Sequence, residues 1–317
     1  FCTINIEAVM VQHIRKTYGV KRVAIVDTDV HHGDGSQDVF YHDPDTLYIS
    51  FHQDGRTLYP GTGFMDEFGG PQAIGANIDI PLPPGTGDEG LLKVMRELVL
   101  PMLHEFKPDI VINSAGQDNH FSDPLANMNV TAKGYAELVD LLQADIAVLE
   151  GGYSVQEALP YVNTGIILSM AGLDYSRVIE PNYVEHQSAD VTRYIDDLIL
   201  KWKDQWARRE EIARDELIGH KDRWVRDYSV YYDESGVQEE RRETVRLYPD
   251  KIGWHSIESY GNYGPYAKQS VYAMFIPWQA DDATREEAFT KARRMKEQGG
   301  LNRYVVVDPM GQGQVEI

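Results

Sequence analysis

Val23-Ala24-Ile25-Val26-Asp27-Thr28-Asp29-Val30-His31-His32-Gly33-Asp34-Gly35 is the stretch from which the fold of this chain is read. Its first four residues form a short, unbroken apolar run, the pattern of a strand buried on both faces. Two carboxylates and an imidazole follow at alternate positions. On extended chain, residues two apart point to the same side, so Asp27, Asp29 and His31 leave the strand end toward one point. A neutral nitrogen donor beside carboxylate oxygens suits zinc or a similar divalent ion. An acidic turn with a hydrogen-bonded histidine has the same pattern, so the meaning of the motif rests on its company.

That company is a series of further strands. Residues 46–51, 110–114 and 146–150 read as strands, with an amphipathic run at 91–106 before the second of these and a helical pattern at 132–143 before the third. Helices are expected over 7–17 and 155–171. Apolar strands separated by helices imply β-α-β units and a parallel sheet covered on both faces. In such sheets ligands bind beyond the carboxyl ends of the strands. There the sequence sets His52 and the loop Leu58-Tyr59-Pro60-Gly61-Thr62-Gly63 behind the second strand. Ala115-Gly116-Gln117-Asp118-Asn119-His120 follows the third, and Gly151-Gly152-Tyr153 the fourth. Four strands delivering polar groups to one edge are harder to dismiss than any single motif.

The character changes after about residue 184. Val191, Tyr194, Ile195, Leu198, Ile199, Trp202 and Trp206 recur at helical spacing, predicting one long amphipathic helix over 190–216. Strand-like stretches at 224–232, 243–248, 270–277 and 304–308 and a helix near 283–298 then suggest a smaller α+β module. Residues 261–266 read as a loop. The expected domains are 1–184 and 185–317. The second could cap a channel, recruit a partner or make a homo-oligomer.

The 317 residues carry a formal charge of −20. Residues 1–184 hold 10 basic against 25 acidic side chains, a balance of −15, and residues 185–317 hold 20 against 25, a balance of −5. Such a field repels phosphate backbones, so direct nucleic-acid binding is not expected, while cationic partners are attracted. No apolar stretch approaches a membrane span. The single cysteine, Cys2, excludes an internal disulfide and fits a reducing, cytoplasmic compartment.

Taken together, Asp27–Gln37 (D-T-D-V-H-H-G-D-G-S-Q), Leu58–Gly63, Ser114–Leu125 (S-A-G-Q-D-N-H-F-S-D-P-L) and Leu149–Tyr153 (L-E-G-G-Y) resemble the zinc-dependent histone deacetylase and acetylpolyamine amidohydrolase superfamily. The wording around Gly33–Gln37 and Asp123–Leu125 leans to its class II-like and bacterial branch. The resemblance covers about residues 1–184 and implies an arginase–deacetylase fold. It implies zinc held by Asp29, His31 and Asp118, with Tyr153 as the hydrogen-bond donor to the oxyanion. Asp27 and Asp34 would be supporting carboxylates, and Phe1, Tyr59 and Leu125 would line the substrate channel. A structural potassium site is implied at Asp27, Asp29, His31, Ser50 and Phe51. His32, His52 and His120 are expected to hydrogen-bond rather than ligate.

The resemblance also implies an adjacent pair of catalytic histidines upstream of the Phe1-Cys2 element, and this chain begins after that point. It starts without an initiator methionine and reads as part of a longer deacetylase. The expected activity is hydrolysis of N-acetylated amines, with an acetylated lysine peptide as first choice of substrate and an acetylated polyamine as second. The apolar Leu125 favours the former and the acidic field the latter. A zinc- and acyl-lysine-binding protein with impaired turnover is the non-enzymatic alternative, because the histidine pair is missing.

Overall fold

The computed structural model describes residues 4–181, 183, 186–232, 237–262 and 268–317. The chain divides into two compact units, residues 1–69 with 73–210 and residues 70–72 with 211–317.

The first unit is built on five strands, β1 (Val23–Asp27), β2 (Thr46–Gln53), β3 (Asn77–Leu82), β4 (Ile110–Ala115) and β5 (Ile146–Leu149). All pair in parallel in the order β3-β2-β1-β4-β5. β1 is central and wholly buried, as its unbroken apolar run requires. β3 was not anticipated, because Asn77, Asp79 and Pro81 interrupt its apolar residues. From β1 the chain adds β2 and β3 on one side, then returns to add β4 and β5 on the other. The order therefore reverses between β1 and β4, the place where open parallel sheets form their ligand crevice.

Helix α1 (Ile6–Tyr18) precedes β1; α2 (Asp34–Phe40), α3 (Asp88–Val94), α4 (Leu100–Phe106) and α5 (Ala132–Leu142) lie in the connections between strands, and α6 (Leu159–Met170) follows β5. A π-helical turn, Met95–Val99, joins α3 to α4. Helix α1 opens on Asn5, whose side chain accepts from the Ala8 amide at 2.7 Å, and closes on Gly19 at φ 70°. Its buried Val11 and Ile14 pack with Val23, Ile25, Phe40, Tyr48 and Ile112.

The long helix differs from expectation in length and in allegiance. It breaks at Arg208 into α7 (Ala189–Ala207) and α8 (Arg209–Glu216). The whole of α7 lies in the first unit rather than with the C-terminal module. Its stripe Ile195, Leu198, Ile199 and Trp202 is buried, with the Trp202 ring 5.7 Å from that of Phe68. Lys93 pairs with Asp196, and Lys203 with Glu97 at 2.8 Å. An apolar stripe announces that a helix is packed; it does not say against what.

The second unit is a six-stranded sheet with strand order β11-β10-β9-β8-β7-β6. β6 (Arg223–Tyr232), β7 (Val237–Arg246), β8 (His255–Asn262) and β9 (Lys268–Phe275) form an antiparallel meander. Helix α9 (Asp282–Gln298) then crosses to β10 (Arg303–Asp308), parallel to β9, and β11 (Gly313–Glu316) closes the edge. Ala288 and Ala292 of α9 seat against Tyr272, Met274, Tyr304, Val306 and Trp254. The mixed α+β module was legible in outline; β8 and β11 were not. Of the expected loop at 261–266, residues 263–266 lie outside the described residues, and 261–262 end β8.

Candidate metal centre

The carboxyl ends of β1 and β4 are hydrogen-bonded neighbours, with Asp27 opposite Ser114 in register. Beyond them the chain turns in two short steps. The Asp29 amide donates to Asp27 Oδ1 at 3.0 Å, and the His31 amide donates to Asp29 Oδ1 at 2.8 Å. Each aspartate thus captures the amide two residues on, the local bond that favours Asp in turns. From β4, Asp118 reaches across, accepting the Val30 amide on Oδ1 at 2.8 Å.

The result is a triad. His31 Nδ1 lies 3.0 Å from both Asp29 Oδ1 and Asp118 Oδ2, and one donor atom from each residue falls within 4.8 Å of the others. The donor set of one imidazole nitrogen and two carboxylates fits a divalent cation of the zinc type. Two glycines make room for it. A Cβ on Gly116 would stand 2.5 Å from Asp29 Cα, and one on Gly151 would stand 2.6 Å from Asp29 Oδ2. The Gly151 amide meanwhile donates to Asp29 Oδ2 at 2.7 Å.

The electrostatics agree with this fit. Burial opposes the charged imidazole, yet hydrogen bonds and charge from Asp118 and Asp29 outweigh it and lift His31 to about 10. Burial pushes Asp118 up to about 6 and Glu150, helped by Glu7, Asp29 and Asp118, up to about 7. The centre concentrates negative charge that a cation would offset.

The remaining sequence-derived residues fall at different depths. Asp27 sits beneath the triad, buried, accepting from the Tyr48 hydroxyl at 2.7 Å. Burial, with the charges of Asp29 and Glu7, holds its carboxyl well above the usual range. Ser50 is the register partner of Asp27 on β2, its hydroxyl 2.8 Å from His52 Nδ1, and Phe51 is fully buried beside it. Asp34 is exposed at the first position of α2. Tyr153 is half-exposed, and its ring meets the His31 ring edge-on, centroids 6.3 Å apart at 88°. Tyr59 and Leu125 are exposed, and Phe1 lies outside the described residues.

The three histidines expected to be non-ligands are all tied up by hydrogen bonds. His32 stands between Thr62 Oγ1 at 2.8 Å and Gln37 Oε1 at 3.0 Å, with Asp79 Oδ1 at 3.3 Å. His52 Nε2 donates to the Gly63 carbonyl at 2.9 Å. His120 Nε2 meets Glu180 Oε1 at 2.8 Å. Sequence reasoning missed Glu7, which leaves α1 to bond Ser114 and, at 3.0 Å, Ser36 behind the triad. It also left Asp123 and Glu180 without roles. Glu7 could have been found as the one carboxylate on the buried stripe of α1, alongside Val11 and Ile14.

Comparison with known proteins fits this geometry. A model of the histone deacetylase domain matches residues 1–168. A probable deacetylase of Archaeoglobus fulgidus is 50% identical over 194 residues, covering 58% of this chain and 53% of the relative. The acetoin utilization protein AcuC of Bacillus subtilis is 37% identical over 193 residues, covering 58% and 50%. The chain spans about half the length of these curated relatives. Among solved structures, the HD domain of HDA15 superposes with a TM-score of 0.58 at 30% identity, covering 70% of this chain and 61% of that one. An acetylpolyamine aminohydrolase from Burkholderia pseudomallei gives 0.51 at 33% identity, covering 54% and 51%. With the domain model spanning more than half of its residues and the Asp29–His31–Asp118 triad where the β1 and β4 ends meet, this chain belongs to the histone deacetylase domain family.

Proposed function

We propose that the protein hydrolyses N-acetylated amines, with acetyl-lysine in a peptide as the principal substrate, and that Asp29, His31 and Asp118 hold a zinc ion for this reaction. The observation carrying the proposal is the Tyr153 ring set edge-on against His31 beside the triad. Bound zinc would supply Lewis acidity at the amide carbonyl and acidify the attacking water. The protein's own contributions are separate. Tyr153 would donate its hydroxyl to the developing oxyanion, and a preorganised donor of this kind is worth about 10²–10³ in rate. The Gly151 and Val30 amides fix the two carboxylates by donating to them. Asp27, bonded to Tyr48, supports the turn from below. Tyr59 and Leu125, exposed near the loop ends, offer apolar walls for an acyl-lysine stem.

The only adjacent histidines in the chain are His31-His32. His31 belongs to the triad and His32 is buried between Thr62 and Gln37, so this pair does not serve as the acid–base dyad. A protein that binds zinc and acyl-lysine with little turnover is the non-enzymatic reading. Hydrolysis of acetylspermidine is the competing enzymatic reading, favoured by the acidic field of the first unit.

Tyr153→Phe tests the proposal. It should lower kcat on an acetyl-lysine peptide by about 10²–10³ while zinc content stays at the wild-type level. Unchanged turnover would remove Tyr153 from the mechanism. Faster wild-type turnover of acetylspermidine would reassign the substrate, and zinc binding without turnover of either would favour the binding protein.

A further inference from the structure

Tyr153 belongs to no helix or strand and is half-exposed, yet the backbone around it is gripped from behind by two buried carboxylates. Asp123, 6% exposed, accepts the Tyr153 amide on Oδ2 at 2.8 Å and the Leu125 amide on Oδ1 at 2.9 Å. One carboxylate therefore sets the spacing between two separate loops. The second grip is a chain of side chains. Ser154 Oγ lies 2.8 Å from Ser122 Oγ, Ser122 Oγ 2.9 Å from His120 Nδ1, and His120 Nε2 2.8 Å from Glu180 Oε1.

The direction of this chain follows from one amide. Ser122 N donates to His120 Nδ1 at 3.2 Å, so Nδ1 is an acceptor and Nε2 carries the proton given to Glu180. Ser122 then donates its hydroxyl to Nδ1, and Ser154 donates to Ser122. Every hydrogen bond points toward Glu180, whose carboxylate also accepts the amide of Ala132 at the start of α5. His120 and Glu180 are almost fully buried, and hydrogen bonds to a buried carboxylate are among the stronger ones. Hydrogen bonds from His120 and from the Ala132 amide outweigh the burial that opposes its charge and hold the Glu180 carboxyl below its ordinary range. The turn itself passes into α6 through Ser154, whose carbonyl accepts the Ala158 amide at 2.9 Å. Glu180 lies beyond residue 168, where the match to the family model ends.

We infer that Asp123, and Glu180 acting through His120, Ser122 and Ser154, are positioning residues that hold Tyr153 and Leu125 in register with the metal triad. The inference rests on the deacetylase reading for its consequence in turnover, though not for the geometry it predicts.

Ser122→Ala is the decisive variant, because it cuts the chain beside Tyr153 and leaves the buried Glu180–His120–Ala132 contacts in place. Displacing a reacting group by less than an ångström costs about 10- to 100-fold. The variant should lose that much in kcat on an acetyl-lysine peptide, with KM, zinc content and melting temperature at wild-type values. Ser122→Thr, which keeps a hydroxyl, should restore kcat. Asp123→Asn should change KM as well, because it releases Leu125 together with Tyr153. A second readout is independent of activity. In tyrosine-labelled protein, with the Tyr153 ring signals assigned by their loss in Tyr153→Phe, Ser122→Ala should weaken the ring-to-ring cross-peak between Tyr153 and His31. A wild-type cross-peak in Ser122→Ala would overturn the positioning role whether or not the protein turns over substrate. A lost cross-peak with no wild-type turnover would retain the positioning role and refute the deacetylase reading instead.

Discussion

Replacing Gly151 by alanine should uncouple metal binding from folding, and the structure sets the size of the effect. The added Cβ would stand 2.6 Å from Asp29 Oδ2 and closer still to Asp118 Oδ2. Real Cβ contacts stay beyond 3.0 Å, so Asp29 must retreat by about 0.4 Å and Asp118 by more. Metal sites tolerate about 0.2 Å in donor position. Asp118 is fully buried and tied to the Val30 amide, so it moves only by giving up that bond. Zinc affinity should fall by at least about 10- to 100-fold, the range that smaller disturbances behind metal ligands produce, which corresponds to about 1.4–2.7 kcal/mol. Overpacking adds about 1–3 kcal/mol of destabilisation. Competition with a chromophoric chelator measures the affinity, and melting with and without zinc separates the two costs. Gly35→Ala is the control: its Cβ would meet only Asn5 Nδ2 at 3.9 Å, so zinc affinity should not change. Wild-type zinc affinity in Gly151→Ala would refute the packing argument and with it the placement of the ion between Asp29 and Asp118.

Three further outcomes are expected. With EDTA present to keep metal out of the balance, His52 should penalise the folded protein below pH 6.5. Burial and the neighbouring His32 charge depress His52 to about 3. Below its ordinary 6.5 the unfolded chain takes up a proton that the folded one refuses, and the contribution of this one group falls by about 2 kcal/mol at pH 5. Burial opposes the His32 charge but Asp79 and Glu67 outweigh it, lifting His32 to about 9; its contribution is full below 6.5 and is lost as pH rises through 9. Relative to wild type, His52→Gln should gain stability in thermal melts as pH falls below 6.5, and a difference between the two that does not change with pH would contradict the assignment. Trp202→Ala should cost about 3–5 kcal/mol, read as lost amide protection in β1, β2 and β4; loss confined to β6–β11 would contradict the allegiance of α7. Asp27→Asn should lower melting temperature while one zinc per chain is still bound, since Asp27 supports the turn from beneath; loss of the zinc would make it a ligand.

The parts legible in the sequence were those where local chemistry and chain direction coincide. Val23–Val26 followed by alternating Asp27, Asp29 and His31 announced a buried strand ending in a cluster of polar side chains, because the period of two survives into the first turn. Asp118 was harder, since its meeting with His31 depends on β4 pairing beside β1, but the apolar run before it gave the strand. The division of labour inside the motif was not contained in periodicity. Asp27 points the same way as Asp29 on ideal extended chain, yet the bond from the Asp29 amide draws it aside to Tyr48.

What could not be read depends on contacts across long separations in sequence. Glu180 and His120 are 60 residues apart, and neither carries a local signature. Asp123 looked like one letter of a motif until its two oxygens were seen to grip amides in different loops. The allegiance of α7 escaped for the same reason. Its apolar stripe fits any partner, and only tertiary packing put Trp202 against Phe68. β3 was hidden because its polar Asn77 and Asp79 break the apolar pattern, yet they are buried with Gln37 and His32 in a hydrogen-bonded network.

The central claim is that Asp29, His31 and Asp118 form a zinc site, and X-ray absorption at the zinc edge of the stoichiometrically loaded protein tests it most directly. One zinc per chain is expected in a shell of nitrogen and oxygen neighbours at about 2.0–2.2 Å, including one imidazole and no sulfur, and lost from Asp118→Asn and His31→Ala. Zinc bound through sulfur of Cys2, through two or more imidazoles, or with unchanged stoichiometry in both variants would contradict it.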